Sequence, residues 1–232
     1  STALAAFPHA VASSFLTAGT LVVGVSGWWL VQSRRGGQSN TVHERTFHKS
    51  MKVGLWTTVL SSLAVFITGD IQAKLMFEQQ PMKMASAESL CHTQTDPMFS
   101  ILTVGTHNNC DSVLHLIEVP WVLPFLAEGK FSGVTLQGVQ DLQEKAEAVF
   151  GPGNYSPNLF VTYWSFRAMI GLMVGSLAIA FFAWLFTRKG RVPTGKRARI
   201  FAACSILAIP FPFLASSAGW IFTEMLSLIH IS

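Results

Sequence analysis

Four ionisable side chains lie within long apolar stretches of the sequence or at their ends. His9 and Arg167 lie inside such stretches, and Asp70 and Glu224 lie at the ends of two others. Ionisable groups inside a lipid bilayer are energetically costly and usually mark a functional site. These four residues are therefore the first candidates for chemistry.

A histidine and a methionine in an apolar setting can hold the iron of a haem group, an arrangement used for electron transfer. His9 and Met169 are the candidate ligands, and Arg167 is a cation that would neutralise haem propionates or pair with a carboxylate. Aromatic side chains that would pack on the macrocycle are Trp28, Trp164 and Trp220. The alternatives are an interfacial histidine, a packing methionine, an arginine extended to the interface and an interfacial tryptophan belt.

The composition indicates which elements must position these residues. Half of the 232 residues are hydrophobic, only 12% are charged and the mean hydropathy is +0.42. Soluble domains carry about 25% charged residues, which excludes a soluble enzyme, and the high hydrophobicity excludes a disordered chain. A helix needs about 20 mostly apolar residues to cross a bilayer. We predict four such spans, at residues 4–32, 53–71, 159–186 and 200–222, in an all-α membrane protein.

The distribution of charge predicts the orientation of the spans. The loop at 33–52 holds five bases and one acid, and the loop after the third span holds six bases and no acid. The long segment, residues 73–158, holds nine of the twelve acids and four bases. Basic loops remain in the cytoplasm, so the long segment and the amino terminus are predicted to lie outside. The net charge of +4 is thus a topology signal and does not indicate nucleic-acid binding.

This orientation places the unusual residues of all four spans in one layer. His9, Asp70 and Glu224 lie near the outside ends of their spans, and Met169 lies about two helical turns from the same side. We interpret this common depth as a site beside the long segment.

The long segment itself carries predicted structure. Cys91 and Cys110 both lie in it, and thiols in an oxidising compartment pair readily, so a disulfide is expected. The alternative is two free cysteines in a loop. Residues 85–90 are predicted to form a short helix, and residues 139–150 an amphipathic helix that the Gly-Pro-Gly-Asn sequence at 151–154 ends. His107, Asp111 and His115 have helix-like spacing and are either a metal site or part of a solvated loop.

Several separated motifs resemble one family. They are FPHAVASSFLTAG at 7–19, GD at 69–70, QPMKMASAE at 80–88, YWSFRAMIG at 163–171 and AGWIFTE at 218–224. In this order they resemble subunit I of cytochrome bd, the quinol oxidase of bacterial respiratory chains. The resemblance covers nearly the whole chain up to Glu224.

The resemblance implies a role for each matching residue. His9 and Met169 would be the axial ligands of the low-spin haem b, with Arg167 next to that haem. Lys83 and Glu88, in QPMKMASAE, would bind and oxidise quinol, so that 73–158 becomes the quinol loop. Two further matches lie in the fourth span, where Trp220 would lie between the haems and Glu224 would serve the high-spin haem site as a metal-site residue. Without the resemblance, Lys83 and Glu88 would be interpreted as an exposed ion pair on a short helix.

The family's reaction is the oxidation of quinol at the outside face with reduction of O2 to water. Its cofactors are the low-spin haem b and, in the complete subunit, a high-spin haem b and haem d. Its partners are quinol, O2, subunit II, small subunits and membrane lipid, and its location is the bacterial inner membrane. Other classes left open by the residues alone are a small multi-span transporter and a non-catalytic membrane anchor.

Two departures from the family limit this expectation. After Glu224 the family continues with GRQPW, whereas residues 225–232 here read MLSLIHIS and resemble nothing in it. The chain also starts at what would be the family's fifth span. The histidine and glutamate of the oxygen-reducing haem belong to earlier spans, so this stretch is expected to carry the low-spin haem and quinol loop only. The expected organisation is spans one and two in 1–72, the quinol loop in 73–158, spans three and four in 159–224, and an unrelated tail.

Overall fold

The computed structural model describes residues 2–35, 41–106 and 110–227. His107 and residues 228–232 of the expected tail lie outside the described residues. Four helical stretches are long and apolar enough to cross a membrane, which confirms the predicted fold class: they are Leu4–Arg34, Val42–Gln79, Leu159–Gly190 and Gly195–Met225. The corresponding helices are α1 (Thr2–Arg35), α2 (Thr41–Gln79), α6 (Leu159–Thr187), and the pair α7 (Gly195–Ala208) and α8 (Pro210–Ser227).

Two of these helices differ from the predicted spans. Helix α2 extends to Gln79, past the end predicted at residue 71. The residues after Asp70 are more polar than the span before them but remain helical. The fourth stretch is two helices, which meet at Ile209 and Pro210. Proline lacks an N–H group and its ring clashes with the carbonyl four residues earlier, so Pro210 begins a new helix instead of continuing α7.

The chain divides into two compact units. The first contains Gly69–Ala168 and Ser217–Ser232 with the first two residues, and the second contains Ala3–Thr68 and Met169–Ser216. The core of the second unit is formed by buried side chains from α1, α2, α6 and α7. They are Val23, Val31, Met51, Leu55, Ala180, Ala183, Ala198, Phe201 and Ala202.

Glycines allow α1 and α7 to pack closely in the second unit. A methyl group added at Gly27 would overlap the Ser205 hydroxyl oxygen, and one at Gly24 would lie 2.5 Å from the Ile209 side chain. Small residues at helix contacts are typical of membrane proteins, where van der Waals packing replaces the hydrophobic effect between helices. Gly24 and Gly27 therefore set the distance between the two helices.

The first unit contains the long segment, whose described residues, 73–106 and 110–158, form three short helices and four strands. The helices are α3 (Pro81–Glu88), α4 (Val122–Glu128) and α5 (Val139–Phe150). The strands are β1 (Gln94–Thr95), β2 (Phe99–Val104), β3 (Leu114–Val119) and β4 (Thr135–Leu136). They form two antiparallel pairs, β1 with β4 and β2 with β3.

Helix α5 has the predicted bounds, whereas α3 starts at Pro81, four residues before the predicted helix. Proline is favoured at the first position of a helix because the missing N–H has no helical partner there. The two small sheets were not predicted. Along β2 and β3 buried and exposed residues do not alternate, and the register shifts twice between Ser100 and Thr103, so the sequence lacks the period of two that indicates a strand.

Apolar clusters and a covalent link hold the long segment together. A disulfide joins Cys91 to Cys110, with Cα atoms 5.6 Å apart. Leu90, Leu123 and Leu136 are buried together with Met84 and Val134. On the other side, Ala85 of α3 packs with Val139 of α5 and Leu159 at the start of α6. Helix α3 is thus enclosed on two sides.

Candidate functional site

Helix α3 carries both residues that the sequence assigns to quinol chemistry. It begins with Pro81 and ends at Glu88, and the next residue, Ser89, has a left-handed backbone that turns its N–H onto the carbonyls of Ala85 and Ser86. Lys83 is only 7% exposed and Glu88 only 3%. The interpretation of these residues as an exposed ion pair is therefore wrong.

The carboxylate of Glu88 pairs with Arg167 of α6, and within the described residues no bond joins Glu88 to Lys83. The Arg167 Nη2 atom donates to Glu88 Oε2 at 2.7 Å, and the backbone N–H of Ser100 donates to the same oxygen at 3.3 Å. Both side chains of the pair are buried, at 8% and 3% exposure. Buried charges require this kind of compensation, because an isolated ion would lose most of its solvation energy.

The other two nitrogens of the Arg167 guanidinium also donate hydrogen bonds. Nε donates to the Ser100 carbonyl at 2.6 Å and Nη1 donates to the Ala87 carbonyl at 3.1 Å. The guanidinium carbon lies 4.4 Å from the ring centres of both Phe99 and Tyr163, a distance at which cations bind aromatic faces. Of the roles that the sequence leaves open for Arg167, the structure shows the carboxylate pair and excludes a head group extended to water.

Burial and pairing act on Glu88 in opposite directions. Burial raises the pKa of this carboxyl group, whereas the charge and hydrogen bond of Arg167 and the Ser100 N–H lower it, and the net pKa is about 7 compared with the ordinary value of 4.5. Burial is the larger effect. A carboxyl group that titrates near neutral pH can both accept and release a proton under working conditions, which general acid–base chemistry requires.

Lys83 lies in a different environment from Glu88. Its Nζ atom is 5.7 Å from the centre of the Phe222 ring on α8. Burial lowers the pKa of Lys83, and the negative charge of Glu224 partly opposes this shift. The lysine is therefore a buried donor next to the end of α8, close to a carboxylate that the sequence assigns to a haem site.

A set of buried polar side chains extends from the Glu88 pair. Tyr163 OH donates to the Ser100 carbonyl at 3.2 Å and lies 3.3 Å from the Ser100 hydroxyl. The Ser100 hydroxyl is hydrogen-bonded to Thr103 Oγ1, which lies 2.8 Å from His115 Nδ1. Sequence reasoning missed Ser100, Thr103 and Tyr163 as site residues. Tyr163 begins the motif at 163–171, but nothing local in the sequence connects it to a strand 63 residues away.

His9 is oriented by a residue of α2. Its Nδ1 atom lies 3.0 Å from Thr68 Oγ1, and that hydroxyl donates its own proton to the Ala64 carbonyl at 2.7 Å. This contact matches the His9 tautomer that carries its proton on Nδ1, which would leave a lone pair on Nε2. Metal-binding histidines are normally held in this way, with the second ring nitrogen donating to a neighbour. The half-buried His9 thus fits the requirements of an axial haem ligand.

Met169 lies on α6, two residues after Arg167, and is also half-buried. Within residues 2–35, 41–106 and 110–227, no group of three or more His, Cys, Asp and Glu side chains is arranged to hold a bare metal ion. A haem needs fewer protein ligands, because its macrocycle occupies four positions around the iron. A histidine and a methionine fit that demand.

The remaining predicted residues have various surroundings. Asp70 pairs with Lys74 at 2.5 Å, one helical turn further along α2. Trp220 of α8 is 67% exposed, and Glu224 is half-buried. A cleft of about 130 Å³ lies beside α3 and is lined by Phe77, Pro81, Met84 and Leu136 among others. Neither Lys83 nor Glu88 lines this cleft.

Comparison with known proteins identifies the family. The family model of cytochrome bd terminal oxidase subunit I matches residues 1–226. Cytochrome bd ubiquinol oxidase subunit 1 of Bacillus subtilis (strain 168) is 35% identical over 94% of this chain and 44% of its own length. The putative cytochrome bd menaquinol oxidase subunit I of the same strain is 28% identical over 92% of this chain and 44% of its own length.

A solved structure agrees on the fold. The structure of bd oxidase from Geobacillus thermodenitrificans matches with a TM-score of 0.72 and 22% identity, over 94% of this chain and 45% of that chain. The chain thus spans less than half the length of these relatives. The match to the family model covers almost all of it, and the chain belongs to the cytochrome bd terminal oxidase subunit I family.

Proposed function

We propose that this chain is the quinol-oxidising, low-spin haem part of a respiratory terminal oxidase. The observation that carries the proposal is the buried Glu88, whose pKa of about 7 suits proton uptake and whose partner Arg167 lies two residues from Met169. Membership of the cytochrome bd subunit I family supports it. The proposed location is the bacterial inner membrane, with the long segment on the outside.

In the proposed reaction Glu88 takes a proton from a quinol hydroxyl. Oxidation of a quinol to a quinone releases two protons and two electrons, so a base near pH 7 at the hydroxyl promotes the reaction. Lys83, a buried donor on the same helix, would hydrogen-bond the second quinol oxygen and hold the ring. Arg167 keeps the Glu88 carboxylate from becoming too basic to release its proton.

We infer that His9 and Met169 would hold the iron of a low-spin haem b. When bound, the haem supplies one-electron acceptor chemistry. His9 presents Nε2 because Thr68 holds Nδ1, and the cation of Arg167 is near the ligand Met169 in sequence. Trp220 and Glu224 are assigned to the high-spin haem b and haem d of the complete oxidase, which reduces O2 to water together with subunit II and small subunits.

The test uses the complete oxidase and separates quinol chemistry from haem binding. Glu88→Gln and Lys83→Met should slow haem reduction by quinol roughly 100-fold or more, while dithionite still reduces the haem fully. Glu144→Gln is the matched control, because Glu144 is an exposed acid of the same segment. Unchanged quinol-driven reduction in Glu88→Gln would contradict the proposal, as would a normal low-spin haem b spectrum in a His9→Ala variant.

A further inference from the structure

A short line of buried hydroxyl groups leads away from the Glu88 pair toward the surface. Ser100 and Thr103 of β2 are buried, and their hydroxyls are hydrogen-bonded to each other. The Thr103 hydroxyl also contacts His115 Nδ1 at 2.8 Å, and Thr103 and His115 face each other in the strand register. His115 is half-buried, so this line connects the interior of the long segment with its exposed side.

Ser100 connects this line to both members of the ion pair. Its N–H donates to Glu88 Oε2 at 3.3 Å, and its carbonyl accepts from Arg167 Nε at 2.6 Å. The buried Tyr163 hydroxyl holds the same carbonyl at 3.2 Å and lies 3.3 Å from the Ser100 hydroxyl. The contact between Glu88 and Ser100 is made by the Ser100 backbone N–H, so a proton that passes from the carboxyl to the Ser100 hydroxyl would cross one bridging water.

A series of hydrogen-bonded hydroxyl groups can relay a proton because each hydroxyl is both a donor and an acceptor. Buried hydroxyls also need partners for purely structural reasons, and threonine can satisfy that need with a backbone carbonyl. Here the line instead ends on an imidazole, the side chain that most readily exchanges protons near neutral pH. The histidine at the end of the line therefore favours a role in proton transport over a purely structural role for these hydrogen bonds.

The charges around His115 favour release of a proton. Burial lowers the pKa of His115, the positive charge of Arg167 lowers it further, and Glu118 on the same strand opposes the shift. Strand β2, which pairs with β3, has no charged residue. The net effect lowers the pKa of His115, which favours release of an acquired proton to water.

We propose that Ser100 and Thr103 relay the proton taken up by Glu88 to His115, which releases it to water, with Tyr163 positioning Ser100. This inference depends on the quinol oxidation proposed above. One proton enters at the Ser100 hydroxyl as the original Ser100 proton passes to Thr103, the original Thr103 proton passes to His115 Nδ1, and one proton leaves Nε2 for water. The imidazole then returns to its starting tautomer by proton exchange with water. The hydroxyls are regenerated, and the quinol electrons do not use this route.

The experiment measures quinol-driven haem reduction in the complete oxidase by stopped-flow absorbance. Thr103→Val and His115→Ala should slow it roughly 10- to 100-fold, while Thr103→Ser, which retains the hydroxyl, and His92→Ala, which removes an exposed histidine of the same segment, keep the original rate. Added imidazole should restore the His115→Ala rate, which loss of a merely structural histidine would not allow.

The outcomes separate this inference from the proposed function. A normal rate in His115→Ala, or a slow rate that imidazole does not restore while the haem spectrum is unchanged, overturns the relay. If the relay is overturned in this way but Glu88→Gln still slows quinol-driven haem reduction, the proposed function is retained. If Glu88→Gln is also normal, the quinol site itself is refuted.

Discussion

Burial and pairing have opposite effects on the pKa of Glu88, and their balance leads to a prediction about how the stability of the folded protein depends on pH. Glu88 has a pKa of about 7 in the folded chain and 4.5 as its ordinary value. Between these two values the unfolded chain loses its proton while the folded chain keeps it. The contribution of Glu88 to stability is therefore present below pH 4.5 and is lost as the pH rises to 7. Replacement by glutamine removes this titration and should make the protein more stable at neutral pH.

The size of the effect follows from the interval between the two pKa values. One pKa unit corresponds to about 1.36 kcal/mol, so the interval from 4.5 to about 7 gives about 3 kcal/mol. No reduction for solvent screening applies, because Glu88 is only 3% exposed.

Thermal unfolding of the detergent-solubilised oxidase at several pH values measures this difference. The midpoint of Glu88→Gln minus that of the unmutated protein should be near zero at pH 4.5, rise to pH 7 and then stay level. Glu144→Gln, at an exposed position, should show no such rise.

The opposite slope would refute this reasoning. If Glu88→Gln becomes less stable than the unmutated protein as the pH rises, the attraction of Arg167 outweighs burial, and the pKa of Glu88 is below its ordinary value. That result is the usual one when a buried ion pair loses one partner, at a cost of about 3–5 kcal/mol. The direction of the slope thus decides which force dominates.

Three further predictions concern other parts of the molecule. Cys91→Ser should destabilise the long segment by about 3 kcal/mol, measured by its sensitivity to proteases, because a crosslink over a sequence separation of 19 restricts the unfolded chain. Thr68→Val should raise the midpoint potential of the low-spin haem by roughly 40 mV in a redox titration, because His9 becomes less basic without its hydrogen bond, and Thr68→Ser should restore it. Gly27→Leu should reduce the yield of folded protein in detergent gel filtration, because its side chain would overlap Ser205, whereas Gly27→Ala should have a smaller effect.

Much of the fold could be predicted from the sequence because it depends on local properties. A span is recognised from about 20 consecutive apolar residues, and all four were confirmed. The amphipathic helix α5 was predicted with its observed bounds, since its pattern and its Gly-Pro-Gly stop signal lie within a few residues. The break at Pro210 was missed because the residues on both sides of it are apolar. The small sheets were missed because buried and exposed residues do not alternate along β2 and β3.

In the candidate site, too, the sequence identified single residues but not the contacts between them. The sequence identified Glu88 and Arg167 as separate candidates, one through its motif and one through its depth in a span. Only the fold brings them together across 79 residues and makes the carboxylate the partner of that arginine, leaving Lys83 near Phe222.

The four spans and the long acidic segment could be predicted without a structure, because hydrophobicity and charge are properties of consecutive residues. The tertiary structure decided that Glu88 is buried, that its proton affinity is raised, and that Ser100, Thr103 and His115 lie in line beside it. Burial and hydrogen-bond partners depend on which distant residues fill the space around a group. The chemistry of Glu88 is therefore a property of its surroundings as much as of its own side chain.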